Sequence, residues 1–113
     1  MRYAAKVDSN HAAIRDGLRA VFGDEAVQDV SMYPRLGFDL IAVARGRLLF
    51  LEVKPPRKAT KLTDSELAAR DRYGDYWRVV TTLDEALEAL AAPPHDTQPG
   101  HHDRRRRRRA GHR

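Results

Sequence analysis

Apolar residues recur along this chain in two different periods, and each change of period marks an element boundary. In residues 10–22, His11, Ile14, Leu18 and Phe22 fall three or four positions apart, which predicts a helix. Ser9 or Asn10 is placed to cap that helix and Gly23 to end it. Residues 26–31 form a short strand candidate, and Pro34 and Gly37 mark a loop. Residues 38–44 and 47–54 are rich in Leu, Ile, Val and Phe, with only Arg45 and Gly46 between them, a pattern that predicts a β-hairpin. Pro55 and Pro56 stop the second strand, because neither has an N–H to give to a ladder.

The helical period returns over residues 63–73. Thr63 and Glu66 have capping-box spacing, Leu62 and Leu67 are placed as a hydrophobic staple, and Gly74 is a terminator. Residues 77–81 read as a strand. Thr82 and Glu85 then repeat the capping spacing, and Leu83, Ala86, Leu87 and Leu90 form one helical stripe. Pro93 and Pro94 close the patterned part. The expected order is helix, three strands, helix, strand, helix (αβββαβα) in one α/β domain over residues 1–94. Residues 95–113 lack an apolar pattern and are expected to be a disordered, arginine-rich tail.

Composition changes this picture in two ways. The 113 residues include no cysteine, which excludes disulfides, cysteine zinc sites and a thiol nucleophile. The net charge of +5 is a tail property: residues 101–113 hold seven arginines and one aspartate, whereas residues 1–100 sum to −1. The run Arg104, Arg105, Arg106, Arg107, Arg108 and Arg109 predicts sequence-independent attraction to phosphates through counterion release. No segment approaches the ~20 apolar residues that span a bilayer, and the first residues carry no apolar leader, so no membrane partner and a cytoplasmic location are expected.

Candidate chemistry lies on the second strand of the hairpin. Side chains alternate faces along a strand, so Glu52 and Lys54 share one face and Val53 takes the other. A two-residue turn at Arg45-Gly46 pairs Ala44 with Arg47 and Val43 with Leu48, and so brings Asp39 opposite Glu52. A turn with a bulge at Gly46 would shift that pairing by one. Facing carboxylates destabilise a sheet, more so beside Leu40, Ile41 and Phe50. A divalent cation between them removes the objection, and oxygen ligands suit magnesium or manganese. A lysine beside a metal-bound phosphate stabilises developing charge, so the chemistry implied is metal-assisted phosphodiester hydrolysis. The bland alternative is an Asp39 that ends a loop and a Glu52–Lys54 pair on the solvated face of an edge strand.

At Gly37-Phe38-Asp39, Leu51-Glu52-Val53-Lys54, the basic proline-containing loop and Leu62-Thr63, the chain resembles the PD-(D/E)xK nuclease superfamily. It is most similar to small phage and bacterial members related to VRR-NUC and Holliday junction resolvase-like nucleases, over roughly residues 8–90. The resemblance implies a restriction-endonuclease-like fold, a central mixed four-stranded sheet flanked by helices. It implies a DNA endonuclease using Mg2+ or Mn2+, with Asp39 and Glu52 and the carbonyl of Val53 as metal ligands and Lys54 as the catalytic lysine. Phe38 stands where the family motif has proline. Many members also place an acid on the first helix; here Asp8, Asn10 and His11 are the candidates for that place, although a satisfied, buried histidine is the plainer reading of His11. Glu66 lies where some relatives have glutamine and receives no role. Arg57, Lys58 and Lys61, directly after the strand, are candidate phosphate contacts. Branched DNA is among the substrates admitted, and a Holliday junction would require a homodimer. The alternative function is a nuclease-fold module that binds nucleic acid without cutting it.

Overall fold

Arg45 and Gly46 both adopt positive φ, 56° and 79°. That is the left-handed pair a two-residue hairpin turn demands, with arginine in the position where asparagine or aspartate is usual. In the computed structural model, which describes residues 2–92 with side chains from Asn10 onward, this turn joins β2 (Leu40–Ala44) to β3 (Arg47–Val53). The other elements are α1 (Arg2–Phe22), β1 (Val27–Asp29), α2 (Asp64–Tyr73), β4 (Trp77–Val80) and α3 (Leu83–Ala91). The expected αβββαβα order is therefore observed. The expected tail, residues 95–113, lies outside the described residues.

The four strands form one mixed sheet in the order β1-β2-β3-β4. β1, β2 and β3 run antiparallel; β3 and β4 run parallel, joined by the crossover through α2. Register in the hairpin is the two-residue-turn register, with Ala44 against Arg47, Val43 against Leu48 and Leu40 against Leu51. Strand alternation then divides the core into two layers. Leu40, Ala42, Leu49, Leu51, Val53 and Val80 pack against Ile14 and Leu18 of α1 and Ala86 and Leu90 of α3. Ile41, Phe50, Trp77 and Val79 pack against Phe38 and against Ala69 and Tyr73 of α2. Three helices thus flank the sheet, two on one face and one on the other. Val43 and Leu48, beyond the reach of α2, remain 47% and 37% exposed.

Two local expectations need correction. Ser9 and Asn10 do not cap α1; the helix begins at Arg2 and runs through them. The Asn10 side chain instead donates from Nδ2 to the Lys54 carbonyl, 3.0 Å away. At α3, Thr82 accepts from the Glu85 N–H as expected, but the Glu85 carboxylate turns to the N–H and hydroxyl of Thr81, so that second box is not closed. The box at α2 is complete: Thr63 Oγ1 accepts from Glu66 N, and Glu66 Oε1 accepts from Thr63 N at 2.9 Å.

Gly37 seats α2 on the sheet. Its φ of +83° is left-handed, and its carbonyl accepts the buried indole N–H of Trp77 at 2.8 Å. A Cβ at this position would lie 2.3 Å from the Ser65 carbonyl oxygen and 2.7 Å from Ala69 Cβ. Both the conformation and the close backbone approach therefore require glycine. Gly37→Ala is expected to cost about 2–4 kcal/mol. Chemical denaturation of the two proteins measures this, and a loss within about 0.5 kcal/mol would mean α2 does not bear on this loop.

Candidate active site

β3 carries the site, because its last residues lie between an antiparallel neighbour and a parallel one. Glu52 is 6% exposed and stands beside Val79 of β4. Lys54 follows on the same face. Its N–H donates to the Val80 carbonyl, and Asn10 holds its own carbonyl, so the backbone beneath the ammonium is fixed from β4 and from α1. Pro55 follows immediately and ends the strand.

Asp39 sits one residue before β2. Continuing the ladder would set it against Glu52, but its N–H donates to the Leu51 carbonyl, one position short of that pairing. The local bend brings its Oδ2 within 2.9 Å of the Val53 N–H, which donates to it. A strand residue turns its N–H and C=O to the same neighbour, so the Val53 carbonyl is directed to the Asp39 side as well. At this end of the sheet the structure brings Asp39 to the Val53 N–H and Glu52 to Lys54. Asp39 arrives there through a local bend rather than through direct cross-strand opposition to Glu52.

The fourth side chain of this group is Glu66, to which sequence reasoning assigns no role. It is 8% exposed, and its Oε1 lies 2.9 Å from Lys54 Nζ, closer than Glu52 Oε2 at 3.5 Å. The same oxygen closes the capping box with Thr63. A signal is present in the sequence: a capping-box glutamate must point back toward the helix entrance, and α2 enters ten residues after Lys54.

The charges are unbalanced, with three largely buried carboxylates around one ammonium. Burial, the charge of Asp39, and hydrogen bonding to Glu66 push the Glu52 carboxyl up from 4.5 to about 9, against the opposing pull of Lys54. At neutral pH Glu52 therefore holds its proton and donates it to Glu66. Burial also raises Asp39, although the Val53 N–H works against the shift. Burial alone would raise Glu66 as well; the hydrogen bonds from Lys54, Thr63 and Glu52 overcome it and hold the group below its usual value. Lys54 is raised: burial would lower it, but the Glu66 bond and the Glu52 charge prevail.

The first-helix candidates divide. Asn10 reaches the site by its bond to the Lys54 carbonyl. His11 is buried, with Nε2 2.9 Å from Asp29 Oδ2, and Arg15 Nη1 and Ser31 complete the surroundings of that aspartate. It is thus a satisfied histidine whose charge, when present, is felt at Asp39. Asp8 lies on α1 among residues whose side chains are not described. Arg57, Lys58 and Lys61 are exposed in the loop after Lys54, and residues 104–109 lie outside the described residues. Among the described residues, no three carboxylate or imidazole groups converge closely enough to hold a metal ion by themselves. No helix among the described residues is long and apolar enough to cross a membrane.

Glu52→Gln tests the buried proton. Between pH ~4.5 and about 9 the folded protein keeps a proton on Glu52 that the unfolded chain has released, so stability falls as pH rises through this window. The glutamine variant lacks that slope and still offers Glu66 a donor. In EDTA it is expected to match the wild type near pH 4 and exceed it by at least about 1 kcal/mol at pH 8. Parallel denaturation curves at all pH values would show that Glu52 is ionised in the fold. Compared with protein-family models, with curated proteins and with solved structures, the chain matches none.

Proposed function

We propose that this protein is a metal-dependent DNA endonuclease of the PD-(D/E)xK type, with a restriction-endonuclease-like sheet. The supporting observation is the group formed at the end of β3 by buried Glu52, half-buried Lys54 and buried Glu66 of α2, with the Asp39 carboxylate bonded to the intervening Val53 N–H. The αβββαβα order and the mixed sheet are the arrangement this resemblance implies.

The donor set fits magnesium or manganese. Asp39, Glu52 and the Val53 carbonyl are hard oxygen donors, and magnesium is commonly held by one or two carboxylates with water and substrate phosphate completing its shell. A site without a third convergent carboxylate is compatible with that habit. The unbalanced negative charge, which forces a proton onto Glu52, is what a divalent cation would relieve. When bound, such an ion supplies Lewis-acid polarisation of a phosphodiester and a water of lowered pKa.

The protein's own residues supply the rest. Lys54, held above its ordinary pKa, stays an ammonium throughout the neutral range and can donate to a phosphate oxygen as charge develops there. Glu66 orients it from α2, and Asn10 fixes the backbone below it from α1. Arg57, Lys58 and Lys61 are exposed in the loop that follows Lys54, where they can meet the DNA backbone. Substrates extend to branched DNA; resolution of a junction would call for a homodimer.

A second reading is a nucleic-acid-binding module that keeps the fold without the chemistry. One observation favours it: α1 offers the site no carboxylate among the described side chains, since Asn10 and His11 are engaged with the Lys54 carbonyl and Asp29. Plasmid and branched DNA incubated with magnesium, manganese or EDTA separate the two. The wild type is expected to cut with either metal and not in EDTA. Glu52→Gln, Asp39→Asn and Lys54→Ala should each lose at least about 10²-fold in rate while still binding DNA. Binding without cleavage by the wild type would establish the second reading.

Residues 101–113 are assigned the non-specific share of affinity, since the remainder of the chain sums to −1. Deleting them is expected to weaken DNA binding and to reduce the slope of log K against log salt by about 0.9 for each phosphate the tail had neutralised. An unchanged slope would move that role to Arg57, Lys58 and Lys61.

A further inference from the structure

A concave surface lies along β4. It is an open groove of about 710 Å3 between the β4 edge, α3 and the loop after β3. Pro56, Val79, Val80 and Ala89 give it an apolar floor. Glu85 and Glu88, both exposed, form its α3 wall. Arg78 lines the rim, with its Nε turned to the Asp75 carbonyl at 3.3 Å.

Among the described residues no lysine or arginine pairs with the carboxylates of this wall; Glu85 is turned to the N–H and hydroxyl of Thr81. α3 carries Asp84, Glu85 and Glu88 and no basic residue. Its C-terminal end, where the helix dipole is negative, has no lysine or arginine in its last turn. Arg47, from the first position of β3, takes one carbonyl there, that of Ala92. A groove with an apolar floor, an acidic wall and a helix C-terminus at one end favours an extended cationic segment that lays its aliphatic stems on the floor.

We propose that the groove receives the chain's own arginine run, Arg104–Arg109, when no nucleic acid is bound. The connection argues for this occupant. Ala92 itself lines the groove, and the chain continues from it. Eleven residues, 93–103, lie between Ala92 and Arg104, a reach of up to roughly 40 Å. α3 has nine residues and is about 14 Å long, so the run can return along its whole length. An intramolecular cation at millimolar effective concentration outcompetes free basic peptides without needing high intrinsic affinity. Six arginines against the two acids that line the groove also leave the association strongly salt-dependent and open to exchange with a phosphate backbone. The tail is then a competitor as well as an anchor: nucleic acid must take the arginines away from α3. This association does not depend on whether the buried carboxylates cut DNA.

The absence of cysteine permits a clean test on the full chain. A nitroxide attached to Ala110→Cys should broaden the amide signals of Thr81, Glu88, Ala89 and Ala92 in about 50 mM salt. The broadening should disappear in about 500 mM salt, where the Debye length is on the order of 4 Å. It should also disappear on Glu88→Lys, and on addition of a DNA duplex. Glu88→Gln keeps helix propensity and side-chain length and should weaken it, which guards against a lysine variant that perturbs α3. Broadening that survives Glu88→Lys, that spreads evenly over the surface, or that centres on Asp64 and Glu66 would overturn the proposal.

Discussion

Burying Glu52, Lys54 and Glu66 together is the constraint to which the rest of this fold answers. Moving charged groups out of water is expensive, and their mutual attraction repays the cost only when geometry and additional hydrogen bonds are good. Here each additional bond comes from a different element. α2 supplies Glu66 and the Thr63 N–H, β4 accepts the Lys54 N–H, and α1 supplies Asn10 to the Lys54 carbonyl. No single element could satisfy the group alone. The crossover from β3 through α2 to the parallel strand β4 brings these partners to one end of the sheet, at the C-terminal ends of the two parallel strands.

The second core layer sets the precision of this arrangement. Phe38, Phe50 and Tyr73 form an aromatic cluster under α2, with centroid separations of 4.5–5.8 Å. Trp77 pins the Gly37 carbonyl beside it. The left-handed Gly37 lets the preceding loop press against Ser65 and Ala69. This packing sets the distance from α2 to β3, and that distance decides whether Glu66 reaches Lys54. A residue pair in the core and a carboxylate in the site are therefore parts of one packing problem, since close-packed interiors transmit displacements instead of absorbing them.

Much of this is legible in the sequence, and the exceptions share a cause. Hairpin register follows from two turn residues, because both must take positive φ and the side-chain period is two. The face shared by Glu52 and Lys54 follows from the same period. What local pattern does not show is where a polar side chain goes when it has a choice of partners. Asn10 has the position of a cap and serves a strand carbonyl 44 residues away. Glu85 has cap spacing and binds Thr81 instead. Glu66 does close its box, and its further bond with Lys54 depends on the sheet crossover, which no local spacing encodes. Asp39 falls at the expected end of the sheet, but its bend arises from a backbone bond to Leu51 that ideal pairing does not contain.

A structural salt bridge is the natural rival to a chemical role for Lys54, and the charge count weighs against it. Where a buried pair is retained for stability, one cation facing one carboxylate is the economical solution, and a well-packed apolar substitute is often as stable or more so. Lys54 has one such partner in Glu66, which alone would complete a structural pair at 2.9 Å. Glu52 and Asp39 are then surplus. Each is raised by burial, and Glu52 can stay only by keeping a proton through neutral pH. Asp39 has a structural use in accepting the Val53 N–H, but sheet stability gives no such reason for Glu52, since Leu51 and Val53 on the same strand show how readily it accepts apolar side chains. Groups kept in a form that costs stability are the ones to suspect of chemistry. The ammonium belongs to the fold through Glu66, while Glu52, buried beside it and pushed up to about 9, is the group whose cost to stability has no structural return.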